Sequence, residues 1–319
     1  MGDISIAKGH FPQMVYRGGE KQLWNPVLKK ALKNRPEERV RLRVIEYLLQ
    51  ESVWSRHRIS TEIPVEFKKD ETPIRADILC YTQDFKPEIL IECKAENIPI
   101  GDKVGEQIAR YNTKINAPYL LMTNGVSDYW YQIEDGKINR LDQLPEIVQS
   151  ETKPNDRHYQ YWSQRGFTGE KAHPLLRKWI VQVLNTLWFE GQEMKHNIHY
   201  LTFKNSPLDL SLDHYYAVFQ LSQDPSEKLA LTTLATPYGG TRLIAIVNRQ
   251  GENKGIIDIN CDLLASGTHP NATIYSAQGS ENYDAMNHLS LDFQEFDERQ
   301  LAELPYDLLH WFRETAAVS

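Results

Sequence analysis

Cysteine is scarce in this 319-residue chain. Cys80, Cys93 and Cys261 are the whole complement, and none has the Cys/His spacing of a zinc site. That usage excludes a disulfide scaffold. Cys80 and Cys93 fall inside apolar runs, where a buried thiol is the expected form. No run approaches the roughly 18 apolar residues of a membrane-spanning helix, so no membrane partner is expected. Met1-Gly2-Asp3-Ile4-Ser5 lacks the basic-then-apolar succession of a secretion signal, and a reducing cytoplasm is the expected location. No Gly-x-x-x-x-Gly-Lys-Ser/Thr stretch occurs, so any ATP-driven motor is expected on a separate chain. Positive charge is also in short supply. The chain carries 36 Lys+Arg against 43 Asp+Glu, a net charge of −7, which argues against strong non-specific binding to a polyanion.

What is present is ordinary for a globular protein: 41% hydrophobic and 25% charged residues. The length allows two domains, and a less hydrophobic stretch from Pro145 to Asp156 reads as the linker between residues 1–150 and 151–319. Residues 1–150 hold 22 basic and 22 acidic side chains, so the negative excess lies in the second half. One local basic run, Lys29, Lys30, Lys33, Arg35, Arg39, Arg41 and Arg43, reads equally as a surface for a phosphate backbone or as a solvated helix face.

Residues 1–26, punctuated by Gly18-Gly19 and Pro26, are expected to be irregular. Pro36 starts a helix to about Gln50, with Val40, Val44, Ile45, Leu48 and Leu49 as its buried stripe. Strands are expected at residues 61–67 and 74–81, separated by a turn at Lys68-Lys69-Asp70-Glu71. A further strand carries Ile89-Leu90-Ile91-Glu92-Cys93-Lys94. A helix from about Lys103 to Ile115, a strand at 119–123, and a hairpin about Glu134-Asp135-Gly136-Lys137 follow. The order predicts an α/β sandwich with a central mixed sheet.

Within that frame, alternation puts Glu92 and Lys94 on one face of their strand and Ile89, Ile91 and Cys93 on the other. Taken alone, such a Glu-x-Lys pair is ordinarily a cross-strand or solvated ion pair. Here Asp77 lies one hairpin upstream in a similar apolar frame. Two converging carboxylates repel, and a hard divalent cation with oxygen ligands removes that repulsion. Lys94 could then hold a water or stabilise a phosphate. Asp77 and Glu92 are therefore the expected metal ligands.

Arg-Ala-Asp77 followed by Ile-Glu92-Cys-Lys94-Ala resembles the Asp…Glu-x-Lys core of the PD-(D/E)xK nuclease superfamily. Glu106-Gln107-Ile-Ala-Arg-Tyr111-Asn112 resembles the Gln-x-x-x-Tyr element in the N-terminal nuclease domain of type I restriction-enzyme restriction subunits. Pro36-Glu37-Glu38-Arg39-Val40-Arg41 resembles the opening helix of that domain, and Ala117 to Gly125 its next strand and turn. Ala76 stands where the superfamily name has Pro, at a position that often varies. The resemblance covers about residues 20–145. It implies a restriction-endonuclease-like fold, Mg²⁺ as cofactor with Mn²⁺ as a substitute, DNA as partner, and restriction or defence against foreign DNA as the setting. It also implies supporting roles for Gln107 and Tyr111, four residues apart on one helix face, and an auxiliary acid at Glu38 with Glu37 as the alternative. For both glutamates, simple stabilisation of the helix dipole is an equal reading.

The second half carries no recognisable motif. Leu175 to Trp188 is a strongly amphipathic helix, and strands are expected at 215–221, 228–235, 242–247, 256–259 and 272–277, with a closing helix near 298–315. The result is a β-rich module, α+β or β-sandwich. Its expected role, by elimination, is recognition, dimerisation or sensing, with a homodimer or a separate motor or specificity subunit as protein partners. His196, His199 and His214 fit no compact zinc motif. Tyr159, Tyr161, Trp162, Trp179 and Trp188 could stack on bases, although core or interface positions are the commoner use. The expected activity is metal-dependent DNA endonuclease. An RNA nuclease, or a non-catalytic nucleic-acid-binding or regulatory protein on the same fold, are the alternatives.

Overall fold

In the computed structural model, residues 3–18, 20–65, 74–149, 157–188, 197–221, 224–291, 293 and 297–318 are described. The chain divides into two units, Met1–Asn155 and Asp156–Ser319. The first opens on β1 (Asp3–Ile4), then an antiparallel meander of β2 (Met14–Arg17), β3 (Glu20–Asn25) and β4 (Lys30–Lys33). This corrects the expectation that residues 1–26 are irregular. Gly18, the first of the glycines read as a breaker, lies in the turn of the β2–β3 hairpin: Arg17 pairs with Glu20, and Gly18 takes a φ of 59°. Turns that match the strand twist need such positive φ values.

Helix α1 (Pro36–Glu51) carries Glu37 and Glu38 in its first turn. Val40, Val44, Ile45 and Leu48 are buried as expected, but so are Leu42, Arg43, Glu46 and Tyr47. The N-terminal segment covers this second side. Arg43 Nε donates to the carbonyls of Ala7 and His10 at 3.1 Å, and His10 Nε2 lies 2.8 Å from Glu51. The basic run from Lys29 to Arg43 is therefore not a single face. Arg43 is buried, Arg39 bonds Asn34 at 2.9 Å, and Arg41 turns toward carboxylates of the sheet.

That sheet contains β5 (Ile59–Val65), β6 (Ile74–Tyr81), β7 (Pro87–Cys93), then, after helix α2 (Asp102–Ile115), β8 (Tyr119–Thr123), β9 (Ser127–Glu134) and β10 (Lys137–Leu141). Its order is β1-β9-β8-β7-β6-β5, with β10 also on β9. Among the described residues of this sheet only the β7–β8 pair is parallel, and α2 makes the crossover that a parallel pair requires. The sheet is thus mixed. Leu79, Leu90, Leu120 and Met122 form a core cluster with Ile108 and Tyr111 of α2. Ile89, Ile91 and Cys93, on the alternate face of β7, are also buried. The turn expected at residues 68–71 lies outside the described residues. Part of the expected linker is packed: Val148 is buried, and its carbonyl accepts from the Tyr47 hydroxyl at 3.4 Å.

The second unit begins with α3 (Tyr159–Gln164) and α4 (Pro174–Trp188). Then come β11 (Asn197–Leu201), β12 (His214–Phe219), β13 (Glu227–Ala235), β14 (Thr241–Arg249), β15 (Glu252–Asn260), α5 (Cys261–Ala265), β16 (Ala272–Ser276), β17 (Gly279–Tyr283) and α6 (Glu298–Val318). Strands β11 to β17 form one antiparallel meander in sequence order. The unit is α+β and β-rich, and the sandwich alternative is corrected. A single sheet buries both of its faces here. Ile244, Ile246 and Ile256 pack under Phe203, Leu208, Leu210 and Leu212. On the alternate face α6 crosses β13, β14 and β15. Gly255 permits that crossing, because a Cβ there would stand 2.1 Å from the Phe312 ring. The edge strands β11 and β17 escaped the sequence reading. Gly279-Ser280-Glu281-Asn282-Tyr283 is polar throughout and almost wholly exposed, so no apolar alternation marks it.

Candidate active site

Three adjacent strands and the start of α1 bring the predicted acids together. In β6–β7, Ile78 pairs with Ile91 and Leu79 with Leu90, so one further step sets Asp77 opposite Glu92. The strands are close enough there for Asp77 Oδ2 to accept the backbone N–H of Cys93 at 2.7 Å. Lys94, one residue past β7, donates from Nζ to Glu92 Oε1 at 2.8 Å. Glu92 and Lys94 therefore share a side, as period-two alternation demands. Glu38 reaches the same place from the first turn of α1. It is 9% exposed while Glu37 is exposed, so the helix, not its sequence, separates the two.

Arg41 links these groups. NH1 donates to Glu38 Oε2 and NH2 to Asp77 Oδ1, both at 2.7 Å. The sequence places Arg41 in the basic run and in the opening-helix motif, with no role at the site. The missed signal is its three-residue spacing from Glu38, which puts both on one helix face. Glu62 was missed as well. Its neighbours Thr61 and Ile63 pair with Ile78 and Ala76, which sets Glu62 opposite Asp77. Its carboxylate stands 3.7 Å from both Arg41 and Lys30. No motif marks it, and its φ of 55° is a left-handed backbone unusual inside a strand.

The electrostatics follow from burial and crowding. Burial pushes the Glu92 carboxyl up to about 7, the charge of Asp77 adds to this, and Lys94 and Arg41 oppose it. Burial works against the Lys94 ammonium, but the hydrogen bond and charge of Glu92, with Asp77 and Tyr111, outweigh it and hold Lys94 above its ordinary value. Burial likewise raises Glu38, against the pull of Arg41 and with help from Glu62 and Asp77.

Tyr111 is buried in the α2 core cluster and close enough for its phenol to act on Lys94. Gln107 lies on α2 four residues before it, and its side chain is outside the described residues. The donor set itself suits a hard divalent cation: carboxylate oxygens from Asp77, Glu92 and Glu38. Glu38 Oε1 is buried with no hydrogen-bond partner among the described residues. Also among the described residues, no three acidic, His or Cys side chains stand in a ready-made coordinating group. Here a guanidinium occupies the space between two of the acids.

In the second unit only two of the three loosely spaced histidines fall among the described residues. His214 is buried on β12, His199 sits on β11, and His196 lies outside the described residues. The base-stacking reading of the aromatics also fails for two of them. Trp162 and Trp179 are buried, with Trp162 Nε1 donating to Asn185 at 3.0 Å and its ring edge-on to Phe167. The side chain of Trp188 is outside the described residues. Among the described residues no helix is long and apolar enough to cross a membrane.

Residues 36–146 match the family model described as the type I restriction enzyme R protein N terminus. This is the family whose motifs the sequence resembles, and the matched stretch contains Glu38, Asp77, Glu92, Lys94, Gln107 and Tyr111. The second unit lies outside it. No curated protein and no solved structure matches the chain.

Proposed function

We propose that this protein is a metal-dependent DNA endonuclease of restriction or defence, with its active site at Asp77, Glu92 and Lys94. The observation that carries the reading is the approach of Lys94 Nζ to Glu92 at 2.8 Å on the strand that faces Asp77. A buried acid paired with a half-buried amine, with a second acid opposite, is a costly arrangement for mere stability, since ion pairs taken out of water contribute little net. The family match to a restriction-enzyme domain supports the substrate class.

Asp77 and Glu92 would hold Mg²⁺ or Mn²⁺, with Glu38 as a further oxygen donor. When bound, such a cation supplies Lewis acidity and lowers the pKa of water, as hydrolysis of a phosphodiester requires. Lys94 is kept protonated by Glu92, so it acts as a fixed positive charge toward the attacked phosphate and as a donor that orients water. Tyr111 braces Lys94 from α2, and Gln107 supports the phosphate side. The acidic charge of the whole chain, −7, implies that DNA is delivered with help. A separate ATP-dependent motor or specificity subunit, or a homodimer made through the second unit, fits that need.

The test is incubation of the purified chain with supercoiled plasmid and with single-stranded RNA, in Mg²⁺ or in EDTA. DNA cleavage is expected in Mg²⁺ alone, and neither Asp77→Ala nor Lys94→Ala should cut. Cleavage of RNA in preference to DNA would move the assignment to an RNA nuclease. A gel shift without any cutting would leave a binding module.

A further inference from the structure

Asp77 has no idle oxygen. Oδ2 accepts the Cys93 N–H and Oδ1 accepts Arg41 NH2, each at 2.7 Å. The same guanidinium takes Glu38 Oε2 at 2.7 Å, and the Arg41 side chain is only 12% exposed. A planar guanidinium with its donors fixed in a fork is suited to clamping two carboxylates at once. It does here what a divalent cation would do, by offsetting the repulsion among Glu38, Asp77 and Glu92. A third acid waits beside it: Glu62 Oε1 is 3.7 Å from NH1, too far for a hydrogen bond but near enough to receive the guanidinium after a small shift. Glu62 faces Arg41 from β5, and the left-handed backbone at Glu62 is the sort of strained position that persists where a site fixes it.

We propose that Arg41 is the resident counter-cation of this site. It holds Glu38 and Asp77 together without metal, competes with an incoming divalent cation for them, and passes to Glu62 when the cation binds. The inference rests on the metal-binding reading above and adds a positioning residue that tunes it. Two cations cannot share Asp77 Oδ1 without repelling each other, so removing the charge of Arg41 should tighten metal binding while loosening the metal-free protein. If Arg41 served folding alone, its removal would lower stability without touching metal affinity.

Mn²⁺ binding to the full chain, read from the electron paramagnetic resonance signal of free Mn²⁺, separates these cases, with thermal melts run with and without Mn²⁺. Arg41→Met is expected to bind Mn²⁺ about tenfold tighter than wild type. Its metal-free melting temperature should be lower and its Mn²⁺-induced rise larger. Asp77→Asn should lose binding. If Arg41→Met does not fold, Arg41→Lys keeps the charge but cannot fork between two carboxylates, and it too is expected to bind tighter than wild type. Equal or weaker binding by these variants, with Asp77→Asn still inactive in binding, overturns the role of Arg41 and leaves the metal site standing. No Mn²⁺ binding by wild type or by either Arg41 variant overturns both.

Discussion

Arg41 divides one guanidinium between Glu38 on its own helix and Asp77 on the neighbouring sheet, 2.7 Å from each. The pair of contacts ties α1 to β6 and sets the charge of the whole site. Four acids, Glu38, Glu62, Asp77 and Glu92, face two principal cations, Arg41 and Lys94, with Lys30 and Arg75 at the rim of Glu62. Lys30 and Arg75 pair with Glu62 alone, so around Glu38, Asp77 and Glu92 three acids meet only Arg41 and Lys94 among the described residues.

The two adjacent glutamates of α1 should behave differently. Glu37 is exposed, so Glu37→Gln should alter stability by no more than about 0.5 kcal/mol and leave cleavage unchanged. Glu38→Gln weakens one of the two hydrogen-bonded ion pairs of a mostly buried arginine. A loss of about 1–3 kcal/mol is expected, with a fall in cleavage. Urea denaturation and a plasmid assay on the two variants, side by side, check this. Equal behaviour would return Glu38 to a helix-dipole role.

The pH dependence has a definite sign. Folding raises the Glu92 carboxyl from its ordinary value to about 7, through burial first and Asp77 second. Between those values the native chain holds a proton that the unfolded chain has lost. The stability from this group is thus complete below the ordinary carboxylate range and is lost as pH rises through about 7. Without divalent cations, wild type should lose more stability across this window than Glu92→Gln. Cleavage should rise over the same range, because only ionised Glu92 serves a cation. Identical melting profiles for the two proteins would dismiss Glu92 as the titrating group.

In the second unit, Gly255→Ala should be costly out of proportion to one methyl group. The new Cβ would meet Phe312 at 2.1 Å and the Tyr275 carbonyl at 2.8 Å. Overpacking of this kind costs about 1–3 kcal/mol or more, and Phe312→Ala in the same chain should recover part of it. A double-mutant cycle by urea unfolding reads the coupling, and additive losses would mean that α6 does not rest on β15 as described.

Trp162→Ala should destabilise by about 3–5 kcal/mol, the cost of emptying a buried indole site. Any retention of DNA by the wild type should be kept by this variant wherever it remains folded. A selective loss of DNA binding from a folded Trp162→Ala protein would restore a stacking role.

Much of the first unit is legible in the sequence because its signals are local. Pro36 with Glu37 and Glu38 starts α1 where expected, and residues 74–81 form the strand that their apolar content predicts. Glu92 and Lys94 share a face because alternation leaves them no choice. The N-terminal meander was hidden by its own turn: Gly18-Gly19 reads as a break until two short strands are seen to pair across it.

The amino-acid order alone determined which residues could do chemistry: an acid, a second acid one hairpin later, and an amine two positions on. Tertiary structure alone decided that Glu38 and not Glu37 joins them, that Glu62 stands opposite Asp77, and that Arg41 lies between the acids instead of facing solvent. The reason is physical. Spacing along a strand or helix is fixed by backbone geometry and travels with the sequence. Which charged side chains meet depends on the register of neighbouring strands and the docking of a helix, and these are set by burial across the whole unit.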